Sequence, residues 1–479
     1  MAGKSRATEP AGPGQRAGLA GEPAEVTDEP AEMISRAAAI DVAKGSGMVC
    51  TRVPHEASPH RRIQRVWQVS ARYADVVALM DELVSAGIQR LVIESTSDYW
   101  RIWYYLAEAG GLHVWLVNAR DAKHLPGRPK TDKLDCVWLC KLNERGMLRR
   151  SFVPPEAIRD LRALTRLRSR LAADSARHQN RIEKILEDAL LKISAVISDL
   201  MGQSGRRFLA ALVAGQRDPE TLAALGDRRL KASTAQLEAA LTGRFRDIHA
   251  LEIGMLLELI DGLTAQITRL DEKVTAALAA IPGIAPACTG CGEIGGTHAP
   301  GCAGAGNPVL SVIERLDEIT GIAVDGAQIL IAELGTDMTV FPTPGHAAAW
   351  AKLTSRTIQS GATSRNGRTG KGNPYLRAVL GRAAMAAAET GSYLGERYRR
   401  IARRRGKQKA IVAVGRTICE IACMIIADPS VRFCELGPDY YARLDAGRQT
   451  RNRIRDLERL NPGMKVTLMG CLTPATQAA

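Results

Sequence analysis

Four carboxylates and one serine carry the chemistry that this chain offers. Asp41 lies inside the apolar run Ala39-Ile40-Asp41-Val42-Ala43, Glu94 ends the run Arg90-Leu91-Val92-Ile93-Glu94, and Asp132 and Asp135 stand three residues apart on one helix face. Aspartate disfavours strands and is costly amid Ile40 and Val42 unless something pairs it. Two hard divalent cations bridging phosphate oxygens need several oxygen ligands, and acids at strand ends and at a helix start can converge to supply them. Taken singly, Asp132 also reads as a helix cap and Glu94 as a surface strand end. Only their combination points to phosphoryl transfer.

The stretch from Gln359 to Asn373 combines hydroxyls, glycines and cations. Glycines let a backbone approach phosphate closely, and Arg365, Arg368, Lys371, Asn373 and Arg377 add charge and donors. Ser360 could attack phosphorus if its proton is removed and the leaving 3′ oxygen is stabilised. Ser355 and Ser364 compete for that role, and a plain loop hydroxyl is the alternative. Downstream, Arg399, Arg400, Arg403 and Arg404 have the cation density expected along a nucleic-acid backbone, with Tyr398 available to stack. Residues 351–410 hold 15 Lys/Arg against Glu389 and Glu396, a surplus of 13 that nearly accounts for the net charge of +14. An excess of that size favours polyanionic partners.

A third constellation, Cys288-x2-Cys291-x6-His298-x3-Cys302, has the ligand types of a tetrahedral Zn²⁺ knuckle inside a Gly-rich stretch, the alternative being free thiols. Ten cysteines in 479 residues without a secretory signal argue for reduced thiols in a cytoplasm, and a polyanionic partner such as DNA would make the protein nucleoid-associated. No apolar run approaches the roughly 20 residues of a bilayer span, so no membrane is expected.

The elements that must position these residues follow from periodicity. Strand-like runs at 39–43, 66–69, 90–94 and 112–117, with helices at about 72–86, 98–109 and 131–145, predict an α/β domain. Leu161, Leu164, Leu167 and Leu171, and later Leu256, Leu259, Leu263, Ile267 and Leu270, lie on helical stripes that would pack on each other or on a second protomer. A Gly-punctuated joint separates these runs near 202–246. Residues 354–374 read as a basic loop within a last helical region, and Ile319-Thr320-Gly321-Ile322 resembles the turn of a helix-hairpin-helix element.

The blocks Ile40-Asp41-Val42-Ala43-Lys44, Val92 to Trp100, and Lys130-Thr131-Asp132-Lys133-Leu134-Asp135 closely resemble the signature blocks of the DEDD insertion-sequence transposases, a family that includes the Piv-type DNA invertases. Ser360-Gly361, Lys371-Gly372-Asn373 and Leu376-Arg377 resemble that family's C-terminal serine block. The resemblance implies an RNase H-like (RuvC-like) N-terminal domain with Mg²⁺ on Asp41, Glu94, Asp132 and Asp135. It also implies a helical transposase domain with Ser360 as nucleophile, DNA as substrate, a non-coding bridge RNA as guide, and a homo-oligomer of two to four chains.

The expected organisation is a disordered extension (1–36), the α/β catalytic domain (37–153), a helical or coiled-coil oligomerisation region (154–280), a Gly/Cys-rich insertion (281–307), the serine-bearing domain (308–430) and a basic flexible tail (431–479). Competing classes are a metal-dependent structure-selective nuclease, similar to Holliday-junction resolvases, and a non-catalytic nucleic-acid-binding protein.

Overall fold

The structure is a computed structural model, and it describes residues 34–55, 58–95, 97–118, 131–285, 310–355, 357–361, 363–367, 369–444 and 446–467. The chain divides after Val153 into two compact units, each taken by itself below.

The first unit is built on a five-stranded sheet of order β3-β2-β1-β4-β5. Strands β1 (Ala37–Val42), β2 (Ser46–His55) and β3 (Ser58–Ser70) form an antiparallel meander, while β4 (Arg90–Ser95) runs parallel to β1 and β5 (Val114–Asn118) parallel to β4. The long second strand is absent from the periodicity reading, because Gly47 and Pro54 interrupt its pattern. Pro54 is tolerated because the ladder shifts register between Pro54 and His55, where a missing N–H costs little.

Alternation along the strands sorts side chains onto two faces. Ala38, Ile40, Val42, Leu91 and Ile93 pack with α1 (Tyr73–Ser85) and α2 (Arg101–Ala109). Ala37, Ala39, Val92 and Val117 face the other way, toward α3 (Asp132–Glu144).

The second unit contains two antiparallel helices, α4 (Glu156–Asp188) and α9 (Asp247–Ala280), each about 50 Å long at 1.5 Å per residue. They join two separate cores. At one end Ile182, Leu186, Ile253 and Ile260 pack with α5 (Ile193–Val196), α6 (Gln203–Val213), α7 (Pro219–Ala223) and α8 (Thr234–Leu241). The stretch expected as a glycine-rich joint is therefore a small helical core. At the other end Ile158, Leu161, Val274 and Leu278 enter a core with α10 (Val312–Asp317), α11 (Val324–Leu334), α12 (Pro344–Trp350), α13 (Pro374–Ala388), α14 (Tyr393–Arg405) and α15 (Lys407–Ala427).

Three sequence expectations change here. Leu167 is exposed while Thr165 and Arg168 are buried, because this face of α4 meets polar groups. Arg168 donates to Asp271 (2.8 Å) and Gln328 (2.6 Å), and Arg162 and Arg166 reach Glu333.

Second, α15 is long and apolar enough to cross a membrane, with a mean hydropathy of 2.0 over its best window, contrary to the expectation that no such run exists. Its Ala410, Val414, Ile418, Cys419 and Ala422 are buried in the core, which accounts for that apolarity.

Third, the segment after 430, expected as a flexible tail, folds back. Arg432 pairs with Glu318, and Glu435 accepts from the Tyr393 N–H (2.6 Å) and from the Thr320 hydroxyl (3.1 Å). Helices α16 (Tyr440–Leu444) and α17 (Ala446–Leu460) follow.

Candidate active site

Asp41 and Glu94 sit near the C-terminal ends of adjacent parallel strands. Ile40 pairs with Ile93, so the next step in register sets Asp41 beside Glu94. Both occupy positions of the sheet face that α3 covers, two residues on from Ala39 and Val92 respectively. Glu94 is buried, at 4% exposure, and Asp41 is half-buried.

Helix α3 runs antiparallel to β1, held at three levels. Asn143 at its C-terminal end donates to the carbonyls of Ala38 (2.9 Å) and Arg90 (3.0 Å), stitching β1 to β4, and its side-chain Oδ1 accepts from the Arg90 guanidinium (2.8 Å). One turn up, the Cys140 thiol donates to the Ala37 carbonyl (3.5 Å). A further turn up, the Cys136 thiol donates to Met48 (2.9 Å) and Ala39 (3.4 Å).

The next turn toward the N-terminus carries Asp135 and Asp132, which brings them to the Asp41 end of the sheet. Thr131 caps the helix by accepting from the Leu134 N–H (3.3 Å), so the capping role that Asp132 could have taken is already filled. Hydrogen bonding to Cys50, together with burial, pushes the Cys136 and Cys140 thiols up, so they act as packing groups behind the acids.

The placement puts four oxygen-donor residues at one end of one sheet face, a donor type suited to Mg²⁺. It does not close them into a formed metal centre. Among the described residues, no group of three or more His, Cys, Asp or Glu is set to hold a metal ion. The candidate zinc ligands Cys288, Cys291, His298 and Cys302 lie outside the described residues, and nothing supports zinc in this chain.

Ser360 falls in the second unit. Residues expected as a loop form a hairpin, β6 (Thr357–Ser360) and β7 (Thr363–Asn366), with Ser360 paired to Thr363 at the turn. Gly361, at φ +55°, supplies the left-handed first position that a two-residue hairpin turn demands. Arg365, Lys371 and Arg377 are exposed, and Arg368 lies outside the described residues.

Asn373, expected at phosphate, has both ends of its amide engaged within the chain. It caps α13 by accepting from Tyr375 N (3.0 Å) and Leu376 N (3.2 Å), and its NH₂ donates to Glu333. Gly372 is needed for close approach, since a Cβ there would lie 2.3 Å from the Ala351 carbonyl oxygen. Gly372→Ala is accordingly expected to destabilise this unit by roughly 1–3 kcal/mol through overpacking against backbone. An unchanged melting temperature would show that the 370–373 segment can move aside at no cost.

Gly321, the glycine of the hairpin-like turn, would place a Cβ 2.3 Å from the Ala383 carbonyl oxygen. That turn is thus packed on α13 at its glycine. Of the basic run, Arg400, Arg403 and Arg404 are exposed. Arg399 instead donates to the carbonyls of Thr390 (2.9 Å) and Ala388 (3.3 Å) and pairs with Glu396. Sequence reading passed over Glu333, whose signal is only an acid inside an apolar helix, and Tyr441, half of a Tyr-Tyr pair in a chain with 4% aromatics.

Acids at adjacent parallel strand ends, backed by a helix with two more, and a strongly basic helical unit are the residue types that chemistry on nucleic-acid phosphodiesters would use. A DEDD-type transposase model (IS110) matches residues 38–190, and the transposase model of the IS116/IS110/IS902 family matches residues 313–399. No curated protein matches the chain. The chain belongs to the IS110-type DEDD transposases, enzymes that cut and rejoin DNA. That family implies an RNase H-like first domain, and the mixed five-stranded sheet agrees with it.

Proposed function

We propose that this transposase recombines DNA through Ser360, with a divalent ion, Mg²⁺ by donor type, held by Asp41, Glu94, Asp132 and Asp135. The observation that carries the reading is the shared face and shared strand-end level of these acids, which is where a phosphodiester could be gripped on two sides. When bound, the ion would neutralise charge developing on the phosphate and leaving oxygens.

The residues of the chain do the rest. Asp41 and Glu94 fix ligand positions on rigid strands, while α3, clamped through Asn143 and Cys136, sets the height of Asp132 and Asp135. In this reading Ser360 of the hairpin would meet the phosphate, and the exposed Arg365, Lys371 and Arg377 would offer cations for the DNA backbone. In the covalent step the Ser360 oxygen forms a bond to phosphorus, its proton passes to a base, and the 3′ oxygen leaves. Rejoining reverses these moves on a new strand.

The acids and the serine lie in different units, so we further propose that a homo-oligomer, dimer to tetramer, lets one protomer's acids work with another's serine. The α9 residues Ile248, Leu251, Met255 and Leu259 form an exposed apolar stripe that suits such pairing. A guide RNA is the proposed source of target choice, with the reaction taking place in the cytoplasm.

Ser360→Ala should retain DNA binding but lose the covalent protein–DNA adduct and strand exchange. Cleavage that persists undiminished in Ser360→Ala, with no adduct in the wild type, would instead favour the metal-dependent nuclease.

A further inference from the structure

Between α14 and α16 lies a pocket of about 270 Å³ lined by Arg397, Arg400, Ile401, Arg404, Arg405 and Tyr441. Four of its six lining residues are arginines and none is acidic. The neighbouring acids form their ion pairs outside the pocket, Glu396 with Arg399 and Glu420 with Arg416 (2.8 Å), and Glu420 acts on Arg397 only through its field.

Its wall is fixed by aromatic packing. Tyr441 stacks on Tyr393 with centroids 5.5 Å apart, and Tyr440 meets both edge-on. The Tyr441 hydroxyl accepts from Arg397 (2.9 Å), and its ring lies 4.2 Å from the Arg400 guanidinium. Burial, followed by the Tyr441 contact, pushes the Tyr393 hydroxyl up to about 12, so that hydroxyl stays protonated and adds no negative charge. The Arg397 Nε is buried and has no hydrogen-bond partner among the described residues.

Buried donors are rarely left unpaired, and several guanidiniums gathered without a counter-charge repel one another unless an anion joins them. Phosphate oxygens match the guanidinium fork, as carboxylates do, and phosphate is the anion that a DNA substrate supplies. We propose that this pocket is a built anchor for one nucleic-acid phosphodiester, completed by the C-terminal segment rather than by the basic run alone. The proposal rests on the nucleic-acid reading given above and sharpens it. Within the run Arg397–Lys407, the strong contact is made by the side chains that share the pocket, and α16 belongs to the binding unit.

The test uses the full chain, a short labelled DNA duplex, and anisotropy titrations across a salt series. Arg404→Gln should weaken binding about tenfold and lower the salt slope by about one, as loss of one charge-assisted phosphate contact does. Tyr441→Phe, which removes the acceptor on Arg397 while keeping the ring stack, should alter affinity measurably. Lys409→Gln, an exposed cation just outside the pocket, should leave binding within twofold.

Equal losses for Arg404→Gln and Lys409→Gln would overturn the pocket and leave a diffuse basic surface. Absence of wild-type binding would overturn both the pocket and the nucleic-acid reading. Inorganic phosphate competing at concentrations where chloride of equal ionic strength does not would support a phosphate-specific site. Competition by both alike would count against one.

Discussion

Asp41→Asn is expected to leave the protein folded and able to bind DNA while slowing strand cleavage by on the order of 10²–10³-fold, the usual cost of losing one group that stabilises developing charge. The fold should survive because Asp41 is half-buried near a strand end, and its place in the β1–β2 ladder opposite Met48 depends on backbone rather than on carboxylate. An amide keeps the shape and removes the charge, so what is lost is affinity for a hard cation and not packing. Glu94→Gln should behave alike.

Asp81→Asn is the matched control, an exposed acid on α1 over the opposite sheet face, and should cleave at the wild-type rate. The assay is single-turnover cleavage of labelled element-end DNA across a Mg²⁺ titration. An Asp41→Asn protein that cleaves like wild type at every Mg²⁺ concentration would remove Asp41 from the chemistry and leave the strand-end placement as coincidence.

The second large effect is structural. Glu333 is fully buried, and its carboxylate accepts two bonds from Arg166 (2.7 and 2.8 Å), lies 3.2 Å from Arg162 and accepts from Asn373. Glu333→Ala should cost the second unit roughly 3–5 kcal/mol, because removing one member of a buried pair strands its partner's charge. The loss should appear as faster hydrogen exchange in α11 and α13, a local measure suited to a protein of two units.

Glu333→Leu combined with Arg166→Leu should recover much of that stability, since apolar replacement of both partners removes the stranded charge. If Glu333→Ala matched wild type in exchange rates, the network would be ornamental to stability. Because Asn373 caps α13 from this carboxylate, the same variant should also loosen the start of the helix that follows Lys371-Gly372.

The acids were legible in the sequence because their surroundings are diagnostic. An aspartate amid Ile40 and Val42 needs a reason, and alternation along a strand already fixes which residues share a face. The Ser360 region was legible only as composition. Whether glycines, hydroxyls and cations form a loop or a hairpin depends on pairing between strands, and Ile358 opposite Arg365 leaves no hydrophobic period to read.

Strand β2 was hidden for a related reason. Its Gly47 and Pro54 argue against a strand locally, but the register shift beyond Pro54 accommodates the proline, and Gly47 sits where a Cβ would come within 2.9 Å of Ile40 and Trp103. The helical stripe on α4 departs from its sequence pattern at Leu167, since charge on a helix face reads as solvent-facing until a buried acid on another helix turns it inward.

Taken by itself, the sequence determined the order of the elements in the first unit apart from β2, the type of each candidate ligand and the concentration of charge between 351 and 410, because these depend on local periodicity and residue chemistry. The tertiary structure decided what lies together. It set Asp41 level with Glu94 through the parallel register of β1 and β4, and it brought Asp132 and Asp135 to the same end through the antiparallel course of α3. It also turned Asn373 from an expected phosphate contact into a helix cap and folded Tyr441 back onto Arg397. Apart from the cap itself, whose bonds reach two and three residues on, such contacts join residues about 40 to 100 positions apart, and no local pattern records them.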